Sequence, residues 1–284
     1  MSEDEKLLAL AAETALRAGR LIRRGREGQV EVAATKSSPT DVVTANDIAS
    51  EQLIKEAILG VRPDDSFVGE EGEDIAGTSG VTWVADPIDG TVNYLYGIPQ
   101  YAVSIAAQRD GRTVCGAVLN AASGELFTAV AGRGAWMDGA PVHVSSTASI
   151  AMALTGTGFH YRHEVRVHQA TETARLLPVV RDLRRLGSAA LDLCYVACGR
   201  LDAYVERGLR PWDLAAARLV VTEAGGRVEG LFGAEPGELI TVAASSVLFD
   251  AFHDALVAVG FADWPMSDWP PSHGGSGSAA SLGV

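Results

Sequence analysis

Between residues 101 and 130 the chain reads YAVSIAAQ, RTVCGAVL and ELFTAV, three apolar runs separated by Asp110-Gly111 and Ser123-Gly124. Both dipeptides favour the positive-φ turns that match the twist of paired strands, so the segment predicts an antiparallel meander. Upstream the rhythm is helical. Ser2 and Glu5 have capping-box spacing, and Leu7, Leu8, Ala11, Ala15, Leu16 and Ile22 recur as one amphipathic face, predicting a helix that ends near Gly25. VEVAAT, residues 30–35, reads as a strand. A second helix is expected from Thr44 as N-cap through Ile48, Leu53, Ile54 and Ile58 to Gly60. Beyond residue 150, the strands MALTGTG and DAYVE alternate with helical stretches near 164–177, 188–199, 212–224 and 246–259, the pattern of a second layered α/β unit. The Pro-, Gly- and Ser-rich end, from about residue 263, lacks periodicity and reads as a disordered tail. No internal repeat is present.

Charge excludes one class of partner. The 284 residues carry 36 acidic and 23 basic side chains, a formal charge of −13, which repels polyanions and argues against nucleic acid. Arg181, Arg184 and Arg185 form a short basic cluster without aromatic interleaving and read as a solvated or intersubunit surface. The start, MSEDEKLLAL, is acidic where a signal peptide is basic, and no apolar run approaches the ~18 residues that span a bilayer, so a cytoplasmic protein without membrane contact is expected. Three cysteines are an odd number for a disulfide framework and read as buried apolar residues. The histidines 160, 163 and 168 lack the spacing of a zinc site, and His273 lies alone in the tail.

The chemistry concentrates where VTWVA, a buried strand by composition, runs into DPIDGT. Asp86 stands at the carboxyl end of that strand, where ligands gather in α/β sheets, and Pro87 is expected to stop the pairing. Asp86 and Asp89 are equally well read as turn and cap residues. Other carboxylates bear on the choice: SFVGEE delivers Glu70 and Glu71 after another short apolar run, and Asp213 opens the helix DLAAARLVVTEAGG. Glu70, Asp86, Asp89 and Asp213 form an all-oxygen set suited to hard divalent cations. Gly90-Thr91, at a helix or turn start, offers backbone N–H groups to an anion.

KSSPTDVVTAND, GEE, DPIDGT, LRPWDLAAA and TEAGG occur in this order and spacing. In that combination the chain resembles the inositol monophosphatases, within the lithium-sensitive, Mg²⁺-dependent phosphatases that include fructose bisphosphatases, from about residue 5 to 260. The resemblance implies an α+β fold, a layered αβαβα sandwich. It divides into an N-terminal metal- and phosphate-binding half (1–148), a C-terminal substrate-binding half (149–262) and the tail (263–284). It implies two or three Mg²⁺ per active site: Glu70, Asp86 and the carbonyl of Ile88 at the first, Asp86, Asp89 and Asp213 at the second. Water activated by the metals attacks phosphorus, helped by Thr91 paired with Asp47 and with Glu70 among the catalytic groups. On the residues alone, Asp47 is as well explained as the acidic half of a Thr44 capping box. Lys36 and Asp41 match a mobile loop, consistent with Ser37, Ser38 and Pro39. The substrate is expected to meet Asp89, Gly90, Thr91 and Asp213, the segment Gly187, Ser188 and Ala189, and Glu206, which matches the glutamate that binds inositol hydroxyls. Arg210 is given no role.

The resemblance implies hydrolysis of myo-inositol monophosphate by a homodimer. The alternatives are another small phosphomonoester, namely histidinol phosphate, fructose 1,6-bisphosphate or an adenosine bisphosphate, and a mainly regulatory role in binding proteins, as bacterial relatives touch the transcription machinery. The absence of an obvious basic pocket weighs against the bisphosphates.

Overall fold

A computed structural model describes residues 1–28, 30–36 and 38–264. Ser37 and the tail beyond Trp264, including His273, lie outside the described residues. The first helix, α1 (Glu3–Arg26), starts at the expected capping box: Ser2 Oγ accepts the Glu5 N–H at 3.2 Å and Glu5 Oε2 accepts the Ser2 N–H at 2.6 Å. Its buried stripe is Leu7, Ala11, Ala15, Ala18 and Ile22. Leu16, read as part of that stripe, is exposed, because it follows Ala15 by one residue and turns ~100° away. A hairpin of β1 (Val32–Thr35) and β2 (Val42–Thr44) leads into α2 (Ala45–Leu59), capped by Thr44.

The next segment builds a seven-stranded sheet in sequential order from β3 (Ser66–Gly69) and β4 (Val81–Asp89), then, after the short α3 (Thr91–Tyr96), β5 (Ala102–Arg109), β6 (Arg112–Asn120), β7 (Leu126–Val130), β8 (Gly134–Met137) and β9 (Ala140–Pro141). β3 and β4 are parallel and the other pairs antiparallel. Asp110-Gly111 turns with φ of 51° and 72°, as its sequence predicts; Asp138-Gly139 makes the same turn with φ of 50° and 79° between β8 and β9.

The C-terminal region supplies β10 (Leu154–Thr157), α4 (His163–Leu176), β11 (Asp182–Arg184), α5 (Ala189–Ala197), β12 (Ala203–Glu206), α6 (Pro211–Glu223), β13 (Gly226–Glu229), β14 (Thr241–Ser245) and α7 (Phe249–Ala258). Its five strands are ordered β11-β10-β12-β14-β13. Among the described residues three apolar clusters define the layers. One joins α1 and α2, through Leu7, Ile22 and Ile54, to one face of the large sheet at Trp83 and Ile105. A second fills the space between the sheets with α5 and α6, reaching Val84 and Ala102 on one side and Tyr204 and Ala243 on the other. The third packs Leu176 of α4 and Phe249, Phe252 and Leu256 of α7 beneath the small sheet. The order is therefore α, β, α, β, α, and the middle helices share a core with strands on both sides of residue 148. Among the described residues no helix is long and apolar enough to cross a membrane.

Candidate active site

β4 carries the first two carboxylates, and its register explains how they converge. Asp86 pairs with Ser104 and Asp89 with Ala102, so three steps on β4 match two on β5. Side chains alternate along a strand, and residues three apart normally face opposite sides. The extra residue makes a bulge at Pro87-Ile88 that turns Asp89 back to the face Asp86 uses. Pro87 thus interrupts the pairing without ending it. The expected stop is corrected here because Asp89 rejoins the ladder beyond the bulge. Ile88 points the other way into the core under α1 and α2.

Asp213 arrives from the first turn of α6, where its Oδ2 accepts the Arg210 N–H at 2.6 Å. The helix is held close to the sheet because Gly116 of β6 has no side chain; a Cβ there would lie 2.8 Å from Ala216 Cα. Asp86, Asp89 and Asp213 each offer an oxygen within 4.8 Å of the others. Burial, then the charges of Glu70, Asp89 and Asp213, raise Asp86 well above the usual carboxylate range. Burial, then Asp89 and Glu70, do the same to Asp213. Burial also lifts Asp89 to about 6, opposed by donors from Ser188 Oγ at 2.5 Å and the Ala190 N–H at 2.8 Å. Three carboxylates that repel one another, two of them buried and Asp213 half-buried, fit a hard divalent cation, which removes the repulsion and prefers oxygen ligands.

Asp47 fills both of the roles open to it from sequence. Its Oδ2 accepts the Thr44 N–H at 2.8 Å and the Thr44 hydroxyl at 2.5 Å, completing the cap of α2. Its Oδ1 faces Thr91 Oγ1 at 3.0 Å. The Ile88 carbonyl lies at the same 3.0 Å from that hydroxyl, so one proton is offered to two acceptors. Burial raises the Asp47 pKa in spite of the Thr44 donors. Thr91 opens α3, whose N-cap Gly90 has φ 94°; a Cβ there would be strained and 3.0 Å from the carbonyls of Gln100 and Gly187.

Glu70 stands outside the carboxylate trio. Its Oε1 accepts from Lys36 Nζ at 2.6 Å, and the same ammonium reaches Glu71 Oε1 at 2.7 Å. Burial disfavours the Lys36 charge, but the two glutamates outweigh it and raise its pKa. Burial beside Glu70 lifts Glu71 to about 7. Lys36 and Asp41 close the β1–β2 connection, where the Lys36 N–H donates to the Asp41 carbonyl at 2.8 Å.

The second half contributes the opposite wall. Ser188 caps α5 and, with the amides of Ala189 and Ala190, donates to Asp89; the Ala189 contact is 3.3 Å. Gly187 precedes them with φ 89°. Glu206 ends β12, where burial raises it to about 7 against the Tyr204 phenol bonded to it. The Arg cluster divides: Arg184 pairs with Asp182 at the surface, whereas Arg185 extends beside Gly187 and its charge favours ionised Glu206. A basic group therefore does border this wall. Arg210 contributes its amide to Asp213 and its side chain to Glu238 at 3.2 Å.

Several supporting residues escaped sequence reasoning. Buried Glu51 accepts the Glu71 N–H at 2.8 Å, and its place one turn after Asp47 on α2 is the signal that could have found it. Asn93 donates to the carbonyls of Gln100 and Leu186 at 2.7 Å each, tying α3 to the wall around Gly187. Asp192 lies one turn after Ser188, buried, with burial and Glu206 raising its pKa.

The profile of the inositol monophosphatase family matches residues 3–259. Inositol-1-monophosphatase of Mycobacterium bovis is 50% identical over 216 residues, 73% of this chain and 74% of that protein. The Nus factor SuhB of Pasteurella multocida is 41% identical over 224 residues, 78% and 84% of the two chains. The crystal structure of extragenic suppressor protein suhB from Bartonella henselae superposes with a TM-score of 0.84 at 33% identity, covering 88% of this chain and 98% of that one. With its five layers and its buried carboxylates at the end of β4, the chain belongs to the inositol monophosphatase family.

Proposed function

We propose that this protein is a Mg²⁺-dependent phosphomonoesterase that hydrolyses myo-inositol monophosphate. The observation that carries the reading is the convergence of Asp86, Asp89 and Asp213 within 4.8 Å. Glu70 and the Ile88 carbonyl complete the proposed ligand set. Divalent cations held by these residues would supply Lewis-acid stabilisation of the phosphoryl oxygens and acidify water. Gly90 and Thr91 receive the phosphate, and at Gly90 no side chain separates backbone from ligand. Thr91 Oγ1 accepts a proton from the attacking water while its own passes to Asp47 Oδ1, the carboxylate oxygen not engaged with Thr44. Gly187, Ser188 and Ala189 line the ring side, and Glu206 accepts from the polyol hydroxyls, which discriminates against analogues lacking them. Lys36 neutralises Glu70 and Glu71, the charge that a divalent cation held by Glu70 would otherwise balance. Lithium inhibition, a homodimer and a cytoplasmic location belong to the same proposal and are supported by kinship.

Phosphate release from inositol monophosphate, histidinol phosphate, fructose 1,6-bisphosphate and adenosine bisphosphate, with Mg²⁺ and with added Li⁺, tests the reading. Inositol monophosphate is expected among the best substrates; a preference for any other by ten-fold or more overturns the substrate assignment. The relative named a Nus factor favours a second reading, a mainly regulatory role in binding proteins. A folded Asp213→Asn variant separates the two in cells, because a regulatory role survives loss of turnover.

A further inference from the structure

Glu206 is held by neighbours that the phosphoryl chemistry does not use. Tyr204 stands two residues earlier on β12, so both side chains leave the same face of the small sheet. The Tyr204 ring is fully buried in the central core, and its phenol donates to Glu206 Oε2. Next to it on β10, Gly156 pairs with Tyr204 in parallel register, and Gly158 follows just past the strand. A Cβ on Gly156 would lie 3.1 Å from Tyr204 Cδ2 and 2.9 Å from Leu201 Cδ1. One on Gly158 would lie 2.0 Å from the carboxyl carbon and from both oxygens of Glu206. Neither glycine is among those with positive φ, so space rather than backbone conformation excludes a side chain. The sequence GTG thus leaves a floor on which an aromatic ring and a carboxylate lie side by side. Asp192 of α5 is close enough for its charge to act on both Tyr204 and Glu206, and its Oδ1 is buried and without a hydrogen-bond partner among the described residues.

We propose that Tyr204, seated with Glu206 on Gly156 and Gly158, is a positioning residue that fixes the Glu206 carboxylate, with Oε2 engaged and Oε1 presented to a hydroxyl of a polyol phosphate. The inference rests on the polyol-phosphatase reading. A glutamate has three rotatable bonds, and holding it before the substrate arrives removes an ordering cost from binding. The phenol takes no part in phosphoryl transfer, so its loss weakens recognition of the alcohol and leaves the chemical step alone.

Steady-state kinetics on inositol monophosphate and on p-nitrophenyl phosphate, which has no hydroxyl to recognise, tests this. Tyr204→Phe keeps the ring and is expected to raise KM for inositol monophosphate about ten-fold, as for loss of a bond to a charged acceptor, with kcat within about two-fold and p-nitrophenyl phosphate unaffected. Added to Glu206→Gln, it is expected to have no further effect. Gly158→Ala pushes on the carboxylate directly and is expected to reproduce the KM change; it decides the matter if Tyr204→Phe does not fold. A wild-type preference for inositol monophosphate that both variants retain overturns the proposal, as does an equal loss on both substrates, the mark of a merely structural role. A wild type indifferent between the two substrates, with Glu206→Gln also without effect, is a different result: the polyol reading itself fails, and this inference falls with it.

Discussion

Asp86, Asp89 and Asp213 pose the energetic problem that the rest of the site answers. Each faces two like charges, and Asp86 and Asp89 do so away from water. Asp213→Asn keeps an oxygen for the Arg210 N–H and removes one charge, so function and stability should move in opposite directions. Turnover is expected to fall by at least about 100-fold through loss of a metal ligand. The melting temperature of the metal-free protein should rise by about 2–4 °C, the equivalent of ~1 kcal/mol of relieved repulsion. Unchanged turnover would remove Asp213 from the machinery. Asp47 makes a prediction about pH, because it can take a proton only when ionised and burial has raised its pKa. The rate should therefore drop on acidification at a higher pH than an exposed aspartate would give, and Asp47→Asn should lose about 100-fold or more in kcat. A full rate in Asp47→Asn would leave Thr91 without its acceptor role.

At the scale of elements, the site depends on helix starts and one irregular strand. Ser188 both caps α5 and donates to Asp89, so Ser188→Ala should cost about 1–2 kcal/mol in urea denaturation; no change would mean that the cap and the bond are both replaceable. The capping boxes at Ser2 and Thr44 and the Asp-Gly turn at residue 110 were legible because each is written within four residues. Asp138-Gly139 carried the same signal and went unread, since β8 and β9 are short. β11, β13 and β14 were missed for a related reason: three- to five-residue strands owe their existence to neighbours in the small sheet. The bulge at Pro87-Ile88 could not be read at all, because it is a property of β4 against β5. The sequence does show that Asp86 and Asp89 are close along the chain; pairing decides that they share a face.

Across the whole molecule, the site is assembled from both sides of residue 148: β4, α2 and α3 face α5, β12 and α6. The motifs that carried the resemblance marked the residues meant to touch metal or phosphate. They passed over Glu51, Asn93 and Tyr204, which hydrogen-bond to other groups of the site, and buried Asp192, none of which follows a motif of its own. The same assembly sets a pH dependence. Asp89 at about 6 and Glu71 and Glu206 at about 7 bind protons in the folded chain that they release near pH 4 when unfolded. The folded state therefore holds more protons between about pH 4 and 7, and the metal-free protein should lose stability as pH rises through that window. Melting temperatures that rise steadily from pH 5 to 7.5 without metal would contradict this. A divalent cation should oppose the loss by binding the folded state alone, by about 2.7 kcal/mol at a hundred times its Kd.

The central claim is that the carboxylates at the end of β4 form a divalent-cation site. Calorimetric titration of Mg²⁺ into the metal-free protein and into Asp86→Asn tests it most directly. The account predicts saturable binding to the wild type and its loss in the variant, since Asp86 serves both proposed metal positions. Equal binding by the two proteins, or none by the wild type at millimolar Mg²⁺, would contradict it.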